Sequence, residues 1–125
     1  MDTVEHLNAA LKAFAIKRDW EQFQSPKNLS MALIVEAAEL VEHFQWLTEE
    51  QSYALSEEKH QEVAYEMADI LLYLIRLSER VNVDIIAAAQ KKMEINEKRY
   101  PADIVRGSAK KYSDYGDADE KNCGS

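Results

Sequence analysis

The chain has 125 residues, with 15 Lys plus Arg against 23 Asp plus Glu, a length that suits one domain with a single core. Hydrophobic residues at 46% and charged residues at 30% exclude wholesale disorder, and a net charge of −8 argues against binding to nucleic acid or anionic membrane, both of which need a basic face. One cysteine, Cys123, excludes a disulfide framework and any cysteine-based zinc site. No charged-then-apolar signal segment opens the chain. Its longest apolar stretch, 29–41, is broken by Ser30, Glu36 and Glu39 and is too short for a bilayer. A cytoplasmic protein is expected.

Glycine is absent before Gly107 and proline occurs only at Pro26 and Pro101. Few breakers, with apolar residues spaced by three and four, predict an all-α protein. The first helix is expected to start near Asp2, with Asp2 and Glu5 as an acidic capping box, to carry Leu7, Leu11, Phe14 and Ala15 on one face, and to fray at residues 18–20. After a connector at 19–24, Ser25-Pro26 reads as N-cap and first helical position of a second helix running to about Trp46. In the linker 47–56, Thr48-Glu49-Glu50-Gln51 fits a capping box and a single turn. Ser56 caps a third helix over 57–80, and Asp84 caps a fourth that ends before Pro101. Residues 1–114 are expected to form one domain and 115–125 a disordered tail.

Two carboxylate pairs carry the chemistry. Glu36-Ala-Ala-Glu39 and Glu66-Met-Ala-Asp69 each place two acids at i, i+3 on one face of a helix. The bland reading is the wet stripe of an amphipathic helix. Two features weaken it. No Lys or Arg occurs between Lys27 and Lys59, so Glu36 and Glu39 lack the cation a solvated face usually supplies. The Glu36 stripe also holds Leu29, Ala32, Leu40 and Trp46, a poor composition for exposure. Both helices are apolar nearly all round, more than two remaining helices can cover, which predicts a homo-oligomer.

If the pairs face each other, two charges 6 Å apart repel by roughly 3 kcal/mol, and four together by roughly 15 kcal/mol, about a domain's whole stability. Some must protonate or a cation must sit among them. A site of carboxylate oxygens suits Mg²⁺, or Mn²⁺ in its place. A di-iron bundle would need Glu-x-x-His on two helices, and the chain has one, Glu57 to His60. His6, His43 and His60 are too scattered for a metal triad, and nothing around them suggests a Ser-His-Asp triad. On the fourth helix Lys92, Asn96 and Arg99 share a face, either a solvated stripe or a clamp for phosphate oxygens. Trp20, Trp46 and Tyr73 are ordinary core residues by type, yet Trp46 and Tyr73 lie on the acid stripes, where a nucleobase would stack.

At these residues the chain resembles the MazG-type all-α nucleoside triphosphate pyrophosphohydrolases, and most of all their dCTP pyrophosphatase branch. The likeness runs from about Leu11 to Asp114. It rests on Glu-x-x-Glu, a 26-residue spacer and Glu-x-x-Asp, reinforced by Arg18-Asp19-Trp20-Glu21-Gln22-Phe23, Pro26-Lys27-Asn28-Leu29, Phe44-Gln45-Trp46, Asp69-Ile70-Leu71-Leu72-Tyr73-Leu74, Arg99-Tyr100-Pro101 and Lys111-Tyr112. The resemblance implies that Glu36, Glu39, Glu66 and Asp69 bind Mg²⁺. It implies further that Trp20, Trp46 and Tyr73 line a base pocket, and that Lys92, Asn96 and, more weakly, Arg99 contact the nucleotide. It also implies a dimer or tetramer. Where the mammalian-type enzymes carry a His in the first helix this chain has Leu11, a departure that loosens the expectation of strict deoxycytidine preference.

The expected protein is therefore a four-helix protomer whose active site lies within a homo-oligomeric bundle. It would cleave a (deoxy)nucleoside triphosphate, dCTP or a related dNTP, to monophosphate and pyrophosphate, with Glu36 or Glu39 taking the proton of the attacking water. The rivals are a non-enzymatic helical interaction protein and a sister enzyme acting on dUTP or a phosphoribosyl-nucleotide.

Overall fold

The computed structural model describes residues 3–108, and every regular element among them is helical. Helix α1 (Val4–Lys17) starts at Thr3, whose extended backbone lets its hydroxyl accept from the His6 amide at 3.2 Å. Thr3 thus replaces the expected start at Asp2, which lies outside the described residues. At the other end Asp19 adopts a left-handed φ of 54°, the Asp19 amide donates to Ile16 O, and the Trp20 amide donates to Ala15 O at 2.8 Å. This is a Schellman stop with aspartate where glycine is usual. A 3₁₀ turn, Glu21–Phe23, follows.

Helix α2 (Pro26–Glu42) begins as its sequence directs, Ser25 Oγ accepting from the Asn28 amide and Pro26 filling the first turn. It stops at Glu42, short of the expected Trp46. The His43 and Phe44 amides reach back only three residues, to Leu40 and Val41, and the chain runs on in tight turns to Leu47. No glycine or proline marks this end, so the apolar pattern ran past it. Thr48 and Gln51 close the expected capping box on the short α3 (Glu49–Ser52), each side chain accepting the other's amide.

Helix α4 (Glu57–Arg80) has the expected bounds, with Ser56 as its N-cap. Asn82, at φ 58°, ends it with a second Schellman stop, the Val83 amide donating to Ser78 O at 2.8 Å. Helix α5 (Ile85–Arg99) is capped by Asp84 and ends before Pro101, as expected, and a one-turn α6 (Ala102–Val105) that the sequence did not announce follows. Among the described residues four helices are long, and two, the expected turn α3 and the unannounced α6, have four residues each.

The chain divides into two compact units, one up to Val83 and one from Asp84 onward. In the first, α4 is the spine and packs against both α2 and α1. Its buried apolar residues are few: Ala15 from α1, Leu29 from α2, Val63 and Ile75 from α4. Much apolar surface stays open, including Met31, Ile34, Val35 and Val41 on α2, Ile34 at 65% exposure, and Tyr65, Met67 and Leu71 on α4. In the second unit α5 carries Ile95 half-buried and an exposed ion pair, Lys91 Nζ to Glu94 at 3.3 Å. The expected disordered tail lies outside the described residues.

Candidate active site

The α2–α4 contact brings three acids together. Glu36, Glu39 and Glu66 each place a carboxylate oxygen within 4.8 Å of the other two. Glu36 Oε2 is buried without a hydrogen-bond partner. Its carboxyl pKa is pushed up to about 7, first by a hydrogen bond to the Glu66 carboxyl, then by burial and by the charge of Glu39. Among the described residues no lysine or arginine pairs with Glu36 or Glu39. Beyond Glu66 a short polar chain runs outward. His43 sits 3.9 Å from both Glu66 and Glu62, and Lys59 Nζ is 3.1 Å from Glu62.

Asp69, the fourth expected acid, stands apart from this trio. It is exposed on α4, three residues on from the half-buried Glu66. There it lines, together with Glu36, a cavity of about 360 Å³. Trp20 and Tyr73 share this cavity, and its apolar wall includes Leu11, Phe14 and Leu72. A second cavity of about 320 Å³ has Trp20, Gln24, Leu29 and Tyr73 in common with the first.

Trp20 owes its place to two anchors. The Schellman stop of α1 sets its backbone, and its ring meets Phe14 edge-on at 5.7 Å, with Arg18 stacked 3.5 Å from the centroid on Phe14. The second anchor is a cationic one that the sequence reading passed over. Arg76, only 2% exposed, donates from Nε to Gln24 Oε1 at 2.7 Å, from Nη2 to Glu21 at 2.8 Å and from Nη1 to Glu79 at 3.0 Å. One turn on, Arg80 donates to the backbone carbonyls of Gln24 and Glu21. The two arginines thus pin the 3₁₀ segment behind Trp20 to α4. A signal for Arg76 existed: it continues the stripe Glu66, Asp69, Tyr73 at helical spacing.

Trp46 does not join this group. Since α2 ends at Glu42, Trp46 leaves the face that a continuous helix would have given it; it is 87% exposed and lines neither cavity. Lys92, Asn96 and Arg99 lie exposed on α5, in the second unit, at the spacing the sequence predicts.

The donor set fits a hard divalent cation. It offers carboxylate oxygens without sulfur, it is short of positive charge, and it holds one buried oxygen that nothing among the described residues satisfies. Carboxylates crowded this way without a counter-ion are costly, and a bound cation removes the cost.

The MazG-like family model matches residues 31–115. The chain is 43% identical over 114 residues to dCTP pyrophosphatase 1 of Bos taurus, an alignment that spans 90% of this chain and 68% of that protein. It is 40% identical to dCTP pyrophosphatase 1 of Homo sapiens over 90% of this chain and 67% of that one. The crystal structure of a pyrophosphatase from Archaeoglobus fulgidus superposes with a TM-score of 0.74 at 38% identity, covering 78% of this chain and 91% of its own. With the family model over most of the chain, and relatives of this similarity sharing its sequence and its helical fold, the chain belongs to the MazG-like family, among its pyrophosphatases.

Proposed function

We propose that this enzyme hydrolyses a deoxynucleoside triphosphate, dCTP or a close relative of it, between the α- and β-phosphorus atoms, releasing the monophosphate and pyrophosphate. One observation carries the reading. Glu36 belongs both to the acid trio with Glu39 and Glu66 and to the wall of a cavity that Trp20, Tyr73 and Asp69 also line, which supports one ligand meeting acid cluster and flat aromatic surface together. The relatives named for dCTP support the substrate class.

In this reading Glu36, Glu39, Glu66 and Asp69 hold Mg²⁺, for which Mn²⁺ can substitute. When bound, the ion neutralises triphosphate charge and draws electrons from the α-phosphorus. Trp20 and Tyr73 bracket the base. Glu36 or Glu39 accepts the proton of the attacking water, the oxygen of which bonds to the α-phosphorus as the bond to the pyrophosphate oxygen breaks. Leu11 offers the cavity no hydrogen bond, so base selection falls to other side chains. Lys92, Asn96 and Arg99 receive phosphate oxygens, and Trp46 completes the base pocket.

The working form in this reading is a cytoplasmic homo-oligomer, a dimer or tetramer, with the site inside the shared bundle. The open apolar faces of α2 and α4 support it, as such extensive exposed apolar surface is unusual on a monomer. Among the described residues no helix is long and apolar enough to cross a membrane.

A product assay across the eight common ribo- and deoxynucleoside triphosphates with Mg²⁺ tests the reaction. Monophosphate plus pyrophosphate is the expected outcome. Diphosphate plus orthophosphate, or no turnover of any member, overturns it.

A further inference from the structure

We propose that Gln24 determines base specificity, as a hydrogen-bond donor held in one orientation by the buried Arg76; the proposal rests on the substrate reading above. Gln24 borders both cavities, alongside Trp20 and Tyr73 in each. Its amide group has two ends, an acceptor and a donor, and rotation about its last bond would normally let either face a ligand. Here that freedom is gone. An arginine Nε only donates, so the group 2.7 Å from Arg76 Nε has to be the amide oxygen.

Arg76 cannot easily let go. Its other nitrogens are held by Glu21 and Glu79, and its side chain is nearly sealed from solvent. The Gln24 backbone is fixed as well, its carbonyl accepting from Arg80 Nε at 2.8 Å and its amide donating to Glu21 O. What remains is the Nε2 group, which donates to nothing else among the described residues. A polar group held in this way costs little further ordering when it meets a ligand.

The consequence is a one-sided reader. Around it the aromatic walls, Phe14, Trp20 and Tyr73, stack on any base, Glu36 and Asp69 supply acceptor oxygens, and the guanidinium of Arg76 is already committed to Gln24, Glu21 and Glu79. Stacking does not rank bases strongly, whereas a fixed donor does. It favours a base edge presenting a carbonyl oxygen or an unprotonated ring nitrogen, and disfavours an edge presenting N–H. Arg76 is a positioning residue in this scheme. It also lines the cavity, with its guanidinium committed to Gln24, Glu21 and Glu79.

The test compares wild type, Gln24→Glu, Gln24→Leu and Arg76→Lys, each confirmed folded by circular dichroism. Pyrophosphate release is measured with dCTP, dUTP, dATP and dGTP at saturating Mg²⁺. Gln24→Glu keeps the acceptor toward Arg76 and removes both donors. The expected result is that the kcat/KM ratio of at least one substrate pair moves by about tenfold, mainly through KM. Gln24→Leu should compress the same ranking, and Arg76→Lys should compress it partly by freeing the amide to rotate. A role confined to holding the fold would lower all four substrates by one common factor. That result, or an unchanged ranking, overturns the proposal. The underlying reading fails differently: wild type then releases pyrophosphate from none of the four, and the proposal falls with it.

Discussion

Helix α4 carries two charged clusters a few turns apart, and they are built on opposite principles. Around Arg76 every charge finds its complement inside the chain: Glu21, Glu79 and the Gln24 carbonyl group satisfy the guanidinium, which is almost fully buried. Around Glu66 like charges are brought together, one oxygen of Glu36 is sealed without a partner among the described residues, and the Glu36 carboxyl is pushed up to about 7. A balanced buried cluster holds the fold in place. An unbalanced one holds a position for something the chain does not supply.

The contrast is sharpest if the two clusters are broken. Breaking the acid trio with Glu36→Gln should lower kcat/KM by about a hundredfold or more, measured by pyrophosphate release with Mg²⁺. The same change should leave the metal-free protein equally or more stable in thermal melts, because it removes a repelled carboxylate. Breaking the balanced cluster with Arg76→Met should have the reverse signature. Leaving Glu21 and Glu79 without their cation costs roughly 3 kcal/mol, read as a lower Tm with or without metal. If Glu36→Gln melts low and Arg76→Met does not, the distinction between the clusters is false.

Acidity separates them next. Glu36 has a folded pKa of about 7 against an ordinary value of 4.5, so the folded, metal-free protein holds an extra proton between those limits. The stability from that proton is fully present below about 4.5 and is lost as pH rises through about 7. Metal-free melts should therefore decline over this window. Glu36→Gln should remove that part of the slope. Saturating Mg²⁺ should remove it too and raise the Tm at neutral pH by mass action, more so with a non-hydrolysable dNTP analogue present.

The smallest effect on folding belongs to Trp46, which is 87% exposed in the protomer. Trp46→Ala should shift stability by no more than about 0.5 kcal/mol. Under the oligomeric reading of the site it should nevertheless raise KM several-fold in the steady-state assay. An unchanged KM removes Trp46 from the base pocket.

Much of the helical outline was legible. Ser25, Thr48, Ser56 and Asp84 announced four helix starts, since a short polar side chain before an apolar periodic run accepts an otherwise unpaired amide. Helix ends were harder. α1 and α4 stop with Asp19 and Asn82 in the left-handed region, where glycine would have been the visible sign, and α2 unwinds with no breaker at all. That early end is what carried Trp46 away from its expected place.

At the candidate site, sequence alone determined which residue types recur at one-turn spacing on α2 and α4, because 3.6 residues per turn puts i and i+3 side by side on any helix. Only the tertiary structure decided which of these acids meet. The packing of α2 on α4 gathers Glu36, Glu39 and Glu66, while Asp69 stays outside the trio and lines the cavity with Glu36. It alone joined Arg76 to Glu21 and Gln24, more than fifty residues away in the chain. Spacing along one helix is a local property. A contact between distant segments depends on how their surfaces pack, and no periodicity encodes that.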